Sequence, residues 1–480
     1  MSDLIQQLEL EATPKCAAPY DPGFRPAALW VRAYRRRVAA DKGARKVVIA
    51  LQRPDGMVFH YRMEVLSDSP ENAAATYRYV ERTVKYLLWQ KGANTVLVSG
   101  CPEVTAQLAK DYAPGGKQAF DADFMGRLVF LAPFVVKDVK ESDIPAANEP
   151  KFRMGGCWKG CRIGFDLGGS DRKCAAVIDG EIVHTEEVPW APIKETDWHY
   201  QYNGIMDSLK RAAAHLPRVD AIGGSSAGVY VNNEVRSASL FRGIPPADFD
   251  AHIRTLFLDI AKEWNVPLYL MNDGDVTALA GAIQLNDCPV LGMAFGTSLA
   301  GGYCGPDGGL TPWLNELAFV PCDFRTPGPG CPQDDWSLDY GCGAQYLSQQ
   351  AVGRLAVAAG VEFAPDCDPL PLRLKEMQRR LDKDGDPVAA EIFKAVGRFL
   401  GYTVAYADDF YALKRFLALG RVTSGKGGDI IIRESTAVLE GEFPEIAAKV
   451  KIEMPDETSK RHGQAVIAAT LPPDEVIAAR

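Results

Sequence analysis

A short segment that begins at Asp166 has the composition of a phosphate-binding turn. The residues Asp166-Leu167-Gly168-Gly169-Ser170 lie between two runs that predict strands. The turn does not lead into a helix, so it is neither a P-loop nor a dinucleotide fingerprint. Glycines at a hairpin tip let backbone N–H groups approach a phosphate, Ser170 adds a hydroxyl, and Asp166 can hold a hydrated Mg²⁺. A hairpin that only needs positive φ at glycine would have the same composition, and the motif alone leaves both interpretations open.

Two further glycine segments offer similar chemistry later in the chain. Residues 292–302 predict a strand, a Gly296-Thr297 turn and a second strand, which would supply another phosphate contact. Residues 417–428 predict a strand end followed by a turn that contains Gly420 and Gly425. Glycine there would let adenine and ribose lie against the backbone, although an ordinary strand-to-helix loop has the same pattern.

An acidic group follows a predicted strand between the two hairpins. Residues 267–271 predict the strand, and Asn272-Asp273-Gly274-Asp275 follows it directly before a small-residue helix. Ligands of open α/β sheets bind at this carboxyl edge, and a carboxylate there can take the proton of a substrate hydroxyl. We expect Asp273 to be that base, and Asp275 to suit the N-cap of the helix better.

Alternating strand and helix patterns must position these segments. Before residue 137 the pattern predicts a hairpin, a helix and a buried strand, and after a linker at 137–156 a similar order recurs. Residues 45–135 could therefore be a degenerate copy of the following half-domain, although any α/β domain can begin this way. The predicted elements are strands 46–52, 57–66 and 95–99 with helix 73–90, then strands 162–166, 173–178, 181–187 and 221–224 with helix 199–215, and helix 251–264.

Composition excludes several classes of protein. The 480 residues are 47% apolar and 24% charged, which is typical of a globular chain of more than one domain. The apolar run 128–136 is too short for a bilayer and is broken by Pro133. The N-terminus has no basic region followed by an apolar core, so we expect a cytoplasmic protein. The net charge of −9, with near balance over residues 1–150, predicts no nucleic-acid or membrane partner.

Five segments, in order, resemble the motifs of ROK-family sugar kinases, which belong to the hexokinase, actin and Hsp70 superfamily. The resemblance covers residues 162–480, and its motifs are specific as a set. The matching segments are the opening phosphate motif at 163–170, the strand and turn that lead to the sugar at 221–228, the strand with the Asn-Asp pair at 266–273, the second phosphate motif at 296–302 and the adenosine motif at 420–425.

The resemblance implies an α/β protein with two ribonuclease-H-like lobes of the actin and hexokinase type and an active site between them. We expect an extension at 1–44 with a solvated basic cluster, an additional N-terminal α/β domain at 45–150, and kinase lobes at 151–285 and 286–480. The implied activity is transfer of phosphate from ATP, with Mg²⁺, to a hydroxyl of a sugar or sugar-like substrate by a homodimer. The implied residues are Asp273 as base, Asp166 toward Mg²⁺, Gly168, Gly169, Ser170, Gly296, Thr297, Gly420 and Gly425 for the nucleotide, and Asn272 and Glu316 for the substrate.

The chain departs from the family around the sugar and zinc positions. A family histidine that contacts sugar and zinc is replaced by Phe319, and a sugar-binding glutamate by Ala344. Glucose should therefore be a poor substrate, and a ligand with an apolar group toward Phe319 should be better. The family's zinc site cannot form as written, and we expect no bound metal, although Cys322, Cys331 and Cys342, or Cys157 and Cys161, could form a rearranged site. Buried free thiols are the more common interpretation of such cysteines.

Two other functions remain open from the sequence. A catalytically weak or inactive sensor of sugar or nucleotide is possible, since the family includes repressors. Those repressors carry a basic helix-turn-helix, which residues 1–150 do not predict. The N-terminal domain could instead cap the cleft or form an oligomer interface.

Overall fold

The chain crosses five times between two units, so neither unit is one continuous stretch. The computed structural model describes residues 3–149, 153–367, 369–455 and 463–478. The large unit comprises residues 1–149, 293–301 and 313–454, and the small unit comprises residues 150–292, 302–312 and 455–480. The division into an extension, an N-terminal domain and two lobes stays a prediction, and its boundary at 150–151 lies outside the described residues.

The strands alternate with helices along most of the chain. The strands are β1 (Arg45–Gln52), β2 (Val58–Val65), β3 (Thr95–Ser99), β4 (Val135–Asp138), β5 (Cys161–Leu167), β6 (Asp171–Ile178), β7 (Glu181–Pro189), β8 (Ala221–Ser226), β9 (Val229–Val231), β10 (Glu234–Ser237), β11 (Leu268–Asn272), β12 (Val290–Phe295), β13 (Leu299–Cys304), β14 (Arg415–Leu419) and β15 (Lys451–Glu453). The helices are α1 (Asp3–Glu11), α2 (Ala27–Ala40), α3 (Pro70–Lys91), α4 (Pro102–Asp111), α5 (Ala119–Asp123), α6 (Trp198–Ala213), α7 (Pro246–Asp248), α8 (Leu256–Trp264), α9 (Asp273–Leu285), α10 (Gln349–Ala358), α11 (Leu370–Arg379), α12 (Pro387–Ala407), α13 (Lys426–Glu442), α14 (Pro444–Ala447), α15 (Gly463–Ala468) and α16 (Asp474–Ala478).

The small unit is built on a five-stranded sheet in the order β11-β8-β5-β6-β7. Strands β11, β8 and β5 are parallel, and β5, β6 and β7 are antiparallel. One face packs an apolar core against α6 and α8. On the other face α15 lies directly on the strands, because a Cβ at Gly164 would be 1.8 Å from the Ala465 carbonyl oxygen. The glycines within these strands therefore allow a helix to approach the sheet closely.

The large unit contains two four-stranded sheets, β2-β1-β3-β4 and β13-β12-β14-β15. Long helices α12 and α13 pack against each other, and α3 supplies a fully buried middle section to the first sheet. Helix α3 begins at Pro70, where the Ser69 side chain accepts a hydrogen bond from the Asn72 N–H. It ends at Gly92, whose positive φ of 74° suits glycine.

Residues 1–44 are expected to form an extension with a solvated basic cluster, and the arginines of that cluster are only partly solvated. The segment contains α1 and α2, and α2 is buried within the large unit. Trp30 and Tyr34, one turn apart, have no exposed surface, and their rings stack with centroids 5.6 Å apart. Arg35 donates to Asp409 at 2.8 Å and to the Tyr79 hydroxyl at 2.9 Å, so it is a packing residue and not only a surface charge.

The strand directions argue against a degenerate copy at 45–135. In that segment β3 follows α3 and pairs antiparallel with β1. In the small unit β8 follows α6 and pairs parallel with β5. The same order of elements along the chain therefore forms two different sheets.

Across the described ranges, no helix combines the length and the apolar character needed to cross a membrane.

Candidate active site

Asp166 and Asp273 come from the carboxyl ends of parallel strands in the small unit. Asp166 lies opposite Ser225 in the β5–β8 register, and Asn272 lies opposite Ser226 in the β11–β8 register. This edge of three adjacent parallel strands is where ligands of such sheets bind. The sequence thus predicted correctly that β5 and β11 end at these acidic residues.

The carboxyl group of Asp273 is half-buried at the first residue of α9. Burial, and then the negative charge of Asp166, raise the pKa of Asp273 to about 6. The Gly274 N–H donates to the Asp273 carboxylate at 3.0 Å, and the Thr277 hydroxyl holds the Asp273 carbonyl at 2.7 Å. A carboxylate with a pKa near neutrality is matched to proton transfer.

Asp166 is buried and anchored from two sides. Its Oδ1 accepts a 2.7 Å hydrogen bond from the Ser225 hydroxyl, and its Oδ2 lies 3.7 Å from the Lys173 ammonium. Burial raises the pKa of Asp166, while Ser225 and Lys173 oppose that rise. Sequence reasoning missed both partners, although Lys173 lies directly opposite Asp166 in the β5–β6 hairpin register.

The N-cap of α9 is Asn272, and the expectation that Asp275 caps this helix is wrong. The Asn272 side chain accepts from the Gly274 N–H at 2.8 Å and donates to the Gly228 carbonyl at 2.8 Å. Asp275 lies inside the first turn and accepts from the Tyr303 N–H at 3.1 Å. The side chain of Asn272 therefore ties the loop after β8 to the start of α9, which holds Asp273 in place.

The glycine turn after β5 is exposed, and its glycines do not adopt a positive φ. The Gly168 N–H donates to the Asp171 carbonyl at 2.9 Å, which closes the hairpin. The Ser170 hydroxyl donates to the Asp171 carboxylate at 2.8 Å. The idea that this turn requires glycine for positive φ is therefore wrong, and space above the backbone is the remaining reason for glycine at Gly169.

The predicted nucleotide residues of the large unit lie at two neighbouring turns. Gly296 and the exposed Thr297 join β12 to β13. Gly420 has a φ of 93° and packs on β12, since its Cβ would lie 2.6 Å from the Phe295 carbonyl oxygen. Gly425, with a φ of 67°, is the N-cap of α13. The structure thus brings Gly420 against the strand that leads into the Gly296 turn.

Phe319 belongs to an aromatic cluster with Trp89 of α3 and Phe120 of α5. Its ring stacks on Trp89 with centroids 4.2 Å apart and lies 5.5 Å from Phe120. The Trp89 carbonyl accepts from the N–H of Glu316 at 3.0 Å, so α3 also holds the predicted substrate residue. Part of the Phe319 ring is therefore used in packing, which weakens the expectation that a ligand's apolar group contacts it. Ala344 is buried.

The cysteines singled out in the sequence do not form a three-ligand metal group in the described part of the chain. Cys322 and Cys342 are buried thiols, and burial raises the pKa of both. The Cys322 thiol donates to the Gly341 carbonyl at 3.4 Å. The group that does assemble is Cys174, His184 and Glu186.

Substitution of Gly169 or Gly296 by alanine tests whether these turns bind phosphate. The added Cβ at Gly169 would contact only the end of Ile193 at 3.2 Å, and at Gly296 only Ser298 at 3.5 Å, so both variants should fold. If a phosphate lies against these turns, the added methyl costs about 1–3 kcal/mol, a roughly tenfold or greater loss of ATP affinity in calorimetry. Gly441→Ala, where a Cβ meets nothing within 4 Å, is the matched control. Unchanged ATP affinity in both turn variants, or equal loss for ATP and substrate, would contradict the phosphate role.

The order of the small-unit sheet, with helices on both faces, is that of a ribonuclease-H-like lobe, and the chain has the fold of actin-like kinases. Comparison with solved structures shows which proteins share this fold. A ROK hexokinase from Thermus thermophilus matches 65% of this chain and 97% of its own, with a TM-score of 0.50 and 18% identity. A ROK-family transcriptional regulator, described as a homolog of the E. coli MLC protein, matches 65% of this chain and 78% of its own, with a TM-score of 0.50 and 19% identity.

The fold is therefore that of ROK-family proteins over about two thirds of the chain. No protein-family model matches the sequence, and the comparison with curated proteins finds no match. One of these two neighbours is a kinase and the other is a regulator. The fold therefore does not decide the activity, which depends on the residues of this chain.

Proposed function

We propose that the protein transfers phosphate from ATP, with Mg²⁺, to a hydroxyl of a sugar or sugar-like small molecule, with Asp273 as general base. The observation that carries the proposal is the carboxyl group of Asp273, half-buried beside Asp166 at the edge of three parallel strands, with its pKa raised to about 6. The Thermus thermophilus neighbour is a hexokinase, which agrees with this class of reaction.

The proposed role of Asp273 is to accept the proton of the attacking hydroxyl. With a pKa of about 6 the carboxyl group is mostly ionised at neutral pH, yet basic enough to accept a proton as the hydroxyl loses it. Asn272 and Thr277 fix the start of α9, so the carboxylate has a defined position. A fixed base reduces the entropy cost of bringing the reacting groups together.

The residues around Asp166 fit a Mg²⁺ ion. Ser225 holds one oxygen of Asp166, and the Lys173 ammonium lies 3.7 Å from the other. The charge of Asp166 still raises the pKa of Asp273, so Lys173 does not cancel all of the negative charge of the two carboxyl groups. Carboxylate oxygens are ligands that Mg²⁺ prefers. When bound, the ion would neutralise phosphate charge. Asp166 would orient it through water, and the Gly168-Gly169-Ser170 turn would contact phosphate oxygens through the N–H groups of Gly169 and Ser170, because the Gly168 N–H closes the hairpin.

The proposed substrate contacts differ from those of the family. The backbone N–H of Glu316 is held by α3. The side chain of Asn272 makes hydrogen bonds within the protein, so Asn272 would act mainly by placing Asp273. The nucleotide contacts of Gly296, Thr297, Gly420 and Gly425 stay predictions. A cytoplasmic homodimer without a nucleic-acid partner is likewise a prediction from the sequence.

Glucose is expected to be a poor substrate in steady-state assays of a sugar panel with Mg²⁺ and ATP. Phe319 and Ala344 replace two groups that resemblance assigns to sugar binding, and each unpartnered sugar hydroxyl costs about 1–3 kcal/mol. The combined loss is about one to several orders of magnitude in kcat/KM. Product formation with another sugar or polyol in the panel supports the proposed function. An efficient glucokinase, with kcat/KM near or above about 10⁴ M⁻¹s⁻¹, would contradict the assignment of these two positions.

A second candidate function is a sensor that binds without turnover. The ammonium of Lys173 lies 3.7 Å from Asp166 and pairs with Asp171 at 2.5 Å, so a fixed positive charge occupies part of the surroundings where Mg²⁺ would bind. One of the structural neighbours described above is a transcriptional regulator. Calorimetry on the same panel distinguishes the two functions, because a sensor binds sugar or nucleotide and forms no phosphorylated product.

A further inference from the structure

Three metal-binding side chains meet on the outer strands of the small unit's sheet. The thiol of Cys174, a ring nitrogen of His184 and a carboxylate oxygen of Glu186 all lie within 4.8 Å of one another. Among the residues that the structure describes, no other group of three or more such side chains is close enough to share one ion. It lies on β6 and β7, and none of its members belongs to the proposed catalytic machinery.

The strand register explains why the three side chains meet. Cys174 lies directly opposite Glu186 in the antiparallel β6–β7 pair, so both side chains project from the same face. His184 is two residues before Glu186, which places it on that face as well. The register shifts between Ala176 and Val177, next to the partner of His184. Such an irregularity often redirects a side chain at the edge of a sheet, and β7 is the edge strand here.

The neighbouring polar atoms of His184 and Glu186 are not hydrogen-bonded to each other. The Nε2 atom of His184 is buried and makes no hydrogen bond within the described residues. It lies 3.8 Å from the Glu186 Oε2, too far for a hydrogen bond. Two metal bonds of about 2.0 Å at the tetrahedral angle hold their ligand atoms about 3.3 Å apart, so a shift of about half an ångström would bring these two atoms to binding distance. The other oxygen of Glu186 accepts from Arg211 at 2.8 Å, which holds Oε2 toward the histidine.

A further histidine lies beside the group. The His215 ring stacks on His184 with centroids 3.8 Å apart and an interplanar angle of 12°. His215 is exposed, two residues after the last residue of α6. A metal ion binds imidazole through a ring nitrogen, and the stacked ring of His215 is close to the group. A small rotation of His215, or a water molecule, would complete four-coordination.

We propose that Cys174, His184 and Glu186 form a site for one zinc-like transition-metal ion, with His215 or water as the fourth ligand. One thiolate, one imidazole and one carboxylate match borderline-soft ions such as Zn²⁺, whereas Mg²⁺ prefers oxygen ligands only. The ion joins the edge strand β7 to β6. It therefore fastens the β6–β7 hairpin, whose first strand carries Lys173 and begins directly after the Gly168–Ser170 turn.

Zn²⁺ titration of the metal-stripped full chain tests the proposal. We expect one Zn²⁺ per chain, a dissociation constant below about 1 µM and a higher melting temperature with Zn²⁺, because binding to the folded state alone stabilises it. His184→Gln should weaken binding at least about a hundredfold and Glu186→Gln at least about tenfold. Both positions are half-buried, so these variants should fold even if Cys174→Ser does not.

Two measurements separate this site from other thiols. Titration with Co²⁺ should give a thiolate charge-transfer band in the wild type that is lost in Cys174→Ser, and Cys331→Ser, a half-buried cysteine outside the group, is the matched control. His199→Gln controls for loss of an unrelated histidine. The proposal is overturned if the wild type binds no Zn²⁺ after reconstitution, or if His184→Gln and Glu186→Gln bind as tightly as the wild type.

Discussion

The Asp273→Asn variant is expected to lose about two to four orders of magnitude in kcat while its nucleotide affinity changes little. The substitution keeps the shape of the side chain and removes the proton acceptor. Steady-state kinetics and calorimetry with ATP measure the two quantities separately. A variant that retains more than about a tenth of the wild-type kcat would place Asp273 in substrate orientation and not in proton transfer.

The pH dependence of the wild type provides an independent signature of the base. Because Asp273 must be ionised to accept a proton and its pKa is about 6, kcat/KM should fall as the pH decreases below 6. Bound Mg²⁺ would shift this limb to lower pH, since a nearby cation favours the carboxylate. The limb should be absent from the small residual activity of Asp273→Asn.

The Asp273→Asn substitution, which should lower activity, should raise the stability of the protein at neutral pH. A carboxyl group whose pKa is raised by folding stabilises the folded state below its unfolded value, and this contribution is lost as the pH rises through about 6. Asp273→Asn should therefore be more stable than the wild type at pH 7–8, by about 1–2 kcal/mol, and nearly equal at pH 4. Thermal unfolding at these pH values measures the difference.

A matched control lies in the same unit. Asp259 is exposed on α8, and its carboxylate accepts hydrogen bonds from the N-cap residue Thr255 and from Lys262 of the same helix. Asp259→Asn should leave kcat unchanged and should not stabilise the protein at neutral pH. Loss of activity in both variants would indicate a general effect of the substitution, and would contradict the assignment of Asp273.

The strands that carry Asp166 and Asp273 could be predicted because their signals are local. An apolar run followed by glycines fixes the end of β5, and the run before Asn272 fixes the end of β11. Parallel strands that end in polar residues bring those residues to one edge, so the meeting of Asp166 and Asp273 also follows from the sequence pattern. These signals require only a few neighbouring residues.

The partners of the site residues could not be predicted in the same way. Lys173 reaches Asp166 through the hairpin register, and Ser225 reaches it across β8, more than fifty residues later. The sequence favours Asp275 as the N-cap of α9, because Asp275 directly precedes the small-residue run. The helix begins two residues before Asp275, at Asp273. Helix boundaries depend on which side chain captures the free N–H groups, and single sequences specify this poorly.

The role of the N-terminal segment also depends on distant contacts. Trp89 and Phe319 are separated by more than two hundred residues, yet their rings stack. Four arginines within α2 obscure its buried stripe, because long basic side chains on a buried helix resemble a solvated surface in sequence. The sequence therefore predicted the elements of the N-terminal domain better than the surface against which they pack.

Helix α3 also holds the segment that, by resemblance, carries zinc ligands in ROK proteins. Lys85 of α3 is fully buried and pairs with Asp121 at 2.7 Å and with Asp339 at 3.0 Å. Arg82, one turn earlier, pairs with Asp339 at 2.9 Å. Burial alone would lower the pKa of Lys85, but the two carboxylates raise it above its ordinary value. Ion pairs from α3 thus fix Asp339, three residues before Cys342.

The Lys85→Met variant is expected to lose about 3–5 kcal/mol of unfolding free energy, because it leaves the buried carboxylate of Asp121 without its cation and removes one of the two cations beside Asp339. Denaturant unfolding at pH 7 measures the loss. Lys117→Met is the control, since the exposed side chain of Lys117 pairs with Asp111 at 3.2 Å and ion pairs of solvated side chains contribute about 0–1 kcal/mol. A second substitution, Asp121→Asn, should recover part of the loss in Lys85→Met, since it removes one of the unpaired charges.

The pH dependence of that loss identifies its cause. Without Lys85, the buried carboxyl group of Asp121 favours its protonated form even more strongly, because burial already raises its pKa in the wild type. A folded-state pKa above the unfolded value contributes stability at low pH that is lost as the pH rises. The deficit of Lys85→Met should therefore shrink between pH 7 and about pH 4. A deficit that is independent of pH, or no larger than that of Lys117→Met, would mean that side-chain packing and not the buried ion pairs holds Asp339 against α3.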